Sequence, residues 1–495
     1  MNLFPVNSFS GMNNWLHPGL LNENTAVQLT DAEVTDGKLF PQKLPLAIKS
    51  NAEQLGFFGG ADKSIVKWYE RTYWSFNKAF RAPYYGGVEE NLGIPYPEAH
   101  PKPVCVSASG DDVLTGDYKY CWCYVNVNGW ESAPCAEDGP LWVDISAEDQ
   151  YIKIIAPEKF PEEIAYIKIY RTADKGGDFY CVGEIHEQGG EFIDKTDDNT
   201  LVMLESATSF DNYPPPEKGR YLTESGGVFF LAVGSRVYFS RLGNPHAWPT
   251  LNFVGFDDTV TGITAEFQGV LVFTYNNTYR ITGADDPATL VKSLLPGNQG
   301  CSNYNTVSHV ANAPVWLSND GICLWDGESI SIVNQGVIKT QRLIPRFAVS
   351  GNDIYYLFTV GRVIVFDRRN GVVFRELSWK NYDFDFGWYD GNADQIYLSK
   401  KGKIYEFGNG ETGELYYLSP YIGGSEIGLH KFMEFNIFCS EECSVRFIVD
   451  DRHIEKKITS AGKTRLKFPF ATVGRKMQIQ IQTSGMLSEF SVLYE

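Results

Sequence analysis

Two kinds of side chain in this 495-residue sequence could do chemistry, its 61 carboxylates and its nine cysteines. Paired carboxylates flanking a glycosidic bond hydrolyse sugars. The turn that marks sialidases, Ser-x-Asp-x-Gly-x-x-Trp, has its nearest match in Ser318-Asn319-Asp320-Gly321 leading to Trp325. Gly follows Asp directly there, so the spacing is wrong, and the match occurs once. It reads as an Asn-Asp-Gly hairpin turn. Asp194, Asp197 and Asp198 are close enough in sequence to touch a calcium ion, but their spacing is not that of an EF-hand loop. They read as a solvated turn. Cys121 and Cys123 flank Trp122 in a strand-like run and share one face, which reads as packing. The seven His are dispersed without metal-ligand spacing, and His186-Glu187 runs into a Gly-Gly turn. No GxxxxGK loop and no HExxH is present, and Asn276-Asn277-Thr278, a glycosylation sequon, reads as a hairpin turn. No catalytic, cofactor-binding or metal-ligating residue is assigned on these grounds, and the chain is not expected to be an enzyme.

What would position such residues is a large β-protein. Hydrophobic residues make up 43%, aromatics 14%, and Gly numbers 47, a composition suited to strands and tight turns. The formal charge of −18 argues against gripping nucleic acid, which needs clustered Lys and Arg. It leaves open a wall past which DNA moves, since carboxylates repel phosphate, and equally a plain acidic surface in contact with solvent. The odd number of scattered Cys points to reduced thiols and assembly in the cytosol. The start, MNLFPVNSFSGMNNWLHPG, has neither the basic opening nor the apolar core of a signal peptide, and no stretch approaches a membrane helix. A protein without membrane contact is expected.

One short helix is expected around Ser50–Leu55; elsewhere the pattern is strands. An apolar strand, a polar turn and a second apolar strand recur at Val228–Ser240, Val270–Thr282, Val315–Gly327, Ile354–Phe366 and Ile396–Phe407, with starts 39 to 45 residues apart. That period is the length of one four-stranded propeller blade. Ile65–Phe76 looks like a sixth copy. A single blade cannot cover both of its faces, so blades must stack on one another. Leu29–Pro41 is the expected closing strand and turn. The expected fold is all-β, a propeller of about six blades.

Two further units interrupt or follow it. From Pro103 to Glu205, strand-like runs including Tyr118–Ser132, Tyr151–Pro157 and Ile164–Ile185 surround Trp122, which predicts an inserted immunoglobulin- or fibronectin-like sandwich. Tyr213-Pro214-Pro215-Pro216 is a stiff return linker. Beyond Gly423-Gly424 the runs alternate strictly, as in Met477–Gln482, and predict a small β-sandwich. The division is 1–102 propeller strands, 103–205 insert, 206–422 propeller continuation and 423–495 terminal sandwich.

The run VYFSRLGNPHAWP (Val237–Pro249) resembles a phrase of short-tailed bacteriophage tail proteins. It is followed in the same order by GVLVFTYNNTYRITG, GNQGCSNYNTV (Gly297–Val307) and VWLSNDGICLWDG. It is preceded by DGKLFP (Asp36–Pro41) and IYRTADKGGDFYCVGEI. The chain thus looks like the tail nozzle family, also called tail tubular protein B, hub or packaged-DNA stabilisation proteins, along nearly its whole length. The resemblance implies a virion protein assembled in the host cytoplasm, a ring of identical subunits, six in number, below the portal and its adaptor. Contacts to tail fibres or a needle, and genomic DNA passing without specific binding, are implied as well; no cofactor and no catalytic residue are. Within it, His246 and Trp248 are candidate interface residues, Trp248 reading either as an exposed contact or as a core aromatic. Two rival classes stand beside it, a propeller-based glycan hydrolase or lyase with converging carboxylates and an Arg, and a host-surface adhesin with an exposed aromatic patch.

Overall fold

The computed structural model describes residues 1–49, 64–69, 71–75, 79–83, 90–107, 113–283, 289–340, 343–369, 371–423, 428–469 and 472–495. The helix expected around Ser50–Leu55 lies outside them. The chain is all-β, a β-propeller of four-stranded antiparallel blades with added β-structure. Two compact units divide it, one made of Met1–Asp62, Phe273–Thr278 and Leu294–Glu495, the other of Lys63–Val272 and Tyr279–Ser293.

Among the described residues five four-stranded sheets, and four consecutive strands of a nine-stranded sheet, carry the blade pattern. Each recurring hairpin of the sequence supplies the second and third strands of a blade, as in Val228–Val233 with Arg236–Phe239, and Ile354–Thr359 with Arg362–Asp367. Val228–Val233, Gly269–Phe273 and Ile354–Thr359 are near-continuous apolar runs because both faces are covered; Ile354–Thr359 is buried at every position. The outer strand Val291–Leu294 is exposed at every position, which is why it left no signal. The sixth copy is out of phase: Ser64–Trp68 and Arg71–Ser75 are the first and second strands of their blade.

The closing strand is not Leu29–Pro41. Leu46–Ile48 supplies the fourth strand of the last blade, pairing Ile48 with Ile404 and Leu46 with Glu406. Strands before it join the sheets of the terminal sandwich, so within 1–102 blade strands are found from Leu46 onward. Asn2–Val6 pairs antiparallel with Leu487–Tyr494, and Ala32–Thr35 with Lys38–Pro41 extends the same seven-stranded sheet. Gln28–Thr30 lies between the last strand of the fifth blade, Val373–Ser378, and Leu415–Leu418. That bridge fuses the fifth blade and the second sandwich sheet into one nine-stranded sheet. The sandwich therefore begins before residue 423. Its core joins Val6, Leu29 and Leu39 to Phe435, Ile479 and Phe490.

Among the described residues the insert forms one six-stranded hydrogen-bonded sheet, with one apolar cluster around Trp122 and another around Cys121 and Cys123. Val143–Ile155 makes this possible. Its first half pairs with Leu114–Asn126, and its second half with Val104–Ser107 on one side and Glu191–Asp194 on the other. Trp122 is 3% exposed, and its indole donates to the Ala99 carbonyl at 2.7 Å.

Candidate functional site

The Gly-Asn-Pro-His-Ala-Trp-Pro run leaves the strand Arg236–Phe239 as a series of tight turns. Asn244 Oδ1 accepts from the His246 amide at 3.0 Å, and the Arg241 amide donates to Ala247 O at 2.9 Å. The turns drive His246 and Trp248 inward, each to 2% exposure. Trp248 packs with Tyr73, Leu92, Leu222, Phe229 and Leu231, and its indole donates to Pro245 O at 2.8 Å. The Gly93 amide donates to His246 Nδ1 at 3.3 Å, and the imidazole lies 5.8 Å from the Trp130 ring. The Trp248 amide donates to Tyr213 O at 2.8 Å, just where the insert's return linker begins, and Arg241 pairs with Asp211. Gly93, at φ +100°, lets Pro214 come so close that a Cβ would sit 2.6 Å from its Cα. This is a clamp that fastens the ends of the insert to its blade. As an exposed contact, neither His246 nor Trp248 fits; the core alternative for Trp248 does.

A pocket lined by several charged groups lies in the other unit. It has a volume of about 150 Å³ and is lined among others by Glu33, Arg369, Tyr389 and Asp394. Its charges are matched to one another. Arg369 holds Glu33 at 2.8 Å and Asp367 at 2.7 Å, and Tyr389 donates to Asp394 at 2.7 Å. Beneath, Arg375 is wholly buried, donating to Gln42 Oε1 at 3.0 Å. Asp31 accepts from the Ser378 amide at 2.7 Å. Burial raises the carboxyls of Asp31 and Glu376 above their ordinary range, and Arg362 offsets part of this at Glu376 from 2.7 Å. These groups stitch residues 31–43 onto the fifth blade. A small-molecule site is ordinarily at least twice this volume and leaves polar groups free to aim at a ligand.

The remaining candidates take structural places. Asp194 and Asp198 flank the buried Arg171, and Asp197 caps the helix Asp198–Leu201, accepting from Asn199 and Thr200. Among the described residues no three of His, Cys, Asp and Glu converge as metal ligands. Cys121 and Cys123 are buried on one face with Tyr170 and Phe179. His186 rests on Tyr166, 4.7 Å between rings, and 3.1 Å from Glu184. Ser318 and Gly321 close a hairpin, the Ser318 amide donating to Gly321 O at 2.8 Å, while Asp320 accepts from Gln299 at 2.8 Å. The buried Arg171–Asp194 and Arg375–Gln42 pairs were not anticipated. The available signal was an Arg inside an apolar strand run, IAYIKIYRT and VVFRELS, a position that requires a partner.

No family model matches the chain, and no curated protein does. Among solved structures it is similar to the β-propeller domain of Cps50 (Swd1) from Myceliophteria thermophila, with 11% identity and a TM-score of 0.24. That match covers 48% of this chain and 96% of the other. It is also similar to the extracellular domain of the putative one-component system BT4673 from B. thetaiotaomicron, with 10% identity and a TM-score of 0.31. There the match covers 92% of this chain and 66% of the other.

Proposed function

We propose that this chain is a structural subunit of a bacteriophage tail, a nozzle or hub protein that assembles with copies of itself around the path of the DNA. The observation that carries the reading is the ordered set of phrases from Asp36 to Gly327 that resembles the nozzle family. The geometry is compatible with it in a specific way. The most distinctive phrase, Val237–Pro249, works as an internal clamp, and the charged pocket beside Arg369 is closed by its own ion pairs. Both describe a scaffold. The acidic balance of −18 fits a wall that does not retain phosphate. In this reading the partners are further copies, a portal adaptor, and fibres or a needle, and the protein resides in the virion.

Mass spectrometry of purified virions, with copy number per particle, tests this directly. Six copies per particle are expected; absence from virions ends the reading. The glycan-hydrolase reading has one observation in its favour, Glu33 and Asp394 lining a pocket with Arg369. It predicts sugar release from host polysaccharide that Glu33→Gln abolishes, and no release across a panel removes it.

A further inference from the structure

The charge of this protein is unevenly distributed. Between residues 103 and 205 twenty-one Asp and Glu face seven Lys and Arg, which accounts for fourteen of the eighteen net negative charges. From 452 to 467 the balance is opposite, six Lys and Arg against one Glu. This basic stretch has a defined place. Arg452–Ile458 is the last strand of the nine-stranded sheet, and Gly462–Lys467 is the last strand of the seven-stranded sheet. One edge strand of each of these two sheets is therefore basic.

The second edge alternates the more regularly. Lys463, Arg465 and Lys467 are exposed, and Thr464 and Leu466 alternate with them, Leu466 packing against the core. Three cations thus project outward at intervals of about 7 Å. Each of the three remains open to solvent whatever partner it has within the chain. Lys463 stands 3.8 Å from Glu489 with side chains 71% and 45% exposed, whereas Arg465, 64% exposed, is held by the more buried Glu434, 13% exposed. A pair as wet as Lys463–Glu489 contributes little and exchanges readily.

We infer that this basic edge docks onto the acidic inserted sandwich of a second copy of the chain. The strand Val143–Ile155 exposes Asp144, Ser146 and Glu148 at the same two-residue repeat, so Asp144 and Glu148 match the separation of Lys463 and Lys467. Two different surfaces in contact make a head-to-tail interface, which closes into a ring when the rotation allows. The contact itself follows from the charge; only its closure into a ring rests on the proposed function. A competing reading is that the cations merely blunt exposed sheet edges, as Lys often does. Glu blunts an edge equally well, so charge reversal separates the two.

The test uses the full chain in sedimentation velocity at about 0.1 M and about 1 M salt, where the Debye length falls from about 10 to about 3 Å. The wild type is expected to self-associate at low salt and dissociate at high salt. The variant K463E/R465E/K467E, and separately D144K/E148K, should each weaken association at least tenfold, and mixing the two should restore it. Restoration also shows that both variants are folded. A triple variant that assembles like the wild type overturns the contact while leaving a ring possible. A wild type that is monomeric at low salt overturns the contact and the ring together. Rings that persist while the triple variant alone loses binding to a sulfated polysaccharide assign the edge to a polyanion and also overturn the inference.

Discussion

Replacing Arg171 by Met should destabilise the inserted sandwich by about 3–5 kcal/mol, the cost of leaving a buried charge without its partner. The guanidinium is fully buried, as is the Asp194 carboxylate 3.5 Å away. At an effective dielectric constant of about 20 that separation corresponds to an attraction of about 5 kcal/mol. Asp194 also accepts from the Tyr120 hydroxyl at 2.7 Å and from the Thr196 amide at 2.9 Å. Arg171 donates to Thr196 O at 2.7 Å and lies over the Tyr118 ring, yet its Nε and Nη1 have no hydrogen-bond partner. The pair is thus strong but incompletely satisfied. Removing both charges should therefore cost less than removing one, because Asn at 194 still accepts from Thr196 without a charge to desolvate. Hydrogen exchange of the amides in Ile164–Thr172 resolves the insert from the rest of the chain. R171M should accelerate it by more than about a hundredfold, at 1.36 kcal/mol per factor of ten. R171M/D194N should lie between R171M and wild type. A double variant as unstable as the sum of the two singles would refute the buried-charge argument.

The other expectations concern the clamp, the buried carboxylate and the thiols. Trp248→Ala should cost about 3–5 kcal/mol in urea unfolding, as for other large buried aromatics; unchanged stability with lost assembly would return Trp248 to the surface. Gly93→Ala should cost about 1–3 kcal/mol in the same assay, because both its φ and the Pro214 backbone oppose a side chain. Burial raises the Asp31 carboxyl above 3.8, so as pH rises past that value the unfolded chain ionises first and the group withdraws stability up to its folded pKa. Asp31→Asn, tolerated at φ 51°, should raise the unfolding temperature at pH 7, with no gain below about pH 3.8. Burial pushes Cys301 up to about 11 and Cys323 up to about 12, so neither should react with iodoacetamide at pH 7 until the chain unfolds, as peptide mass spectrometry would show.

The blades were legible because their central strands are covered on both faces and must be apolar throughout. Val228–Val233 and Ile354–Thr359 therefore announce themselves in one dimension. Pairing between distant segments leaves no such trace. Leu46–Ile48 closes the last blade with three residues, two of them exposed, and nothing in LAI distinguishes it from a loop. The same holds for Gln28–Thr30, whose place between two strands more than 340 residues away depends on the partners and not on its own composition. The site followed a similar division. That Cys121 and Cys123 face the same way follows from period two, whereas the partner of Arg171 depends on where the chain returns.

The clamp also bears on what a distinctive phrase can mean. Gly93 is held to a backbone no other residue adopts easily, Asn244 to a turn its own side chain closes, and Trp248 to a pocket only a large aromatic fills. Each requirement comes from fastening an insert to a blade. The phrase Val237–Pro249 therefore speaks first for an architecture, a propeller carrying an insert, and only through it for a task. Charge behaves in the opposite way. The fold does not require that the acidic excess gather in the insert or that six cations line two edge strands of the sandwich, since exposed positions accept either sign at little cost to stability. Where folding leaves the choice open, an uneven pattern speaks for what the surface meets, and here it points to another copy of the same chain.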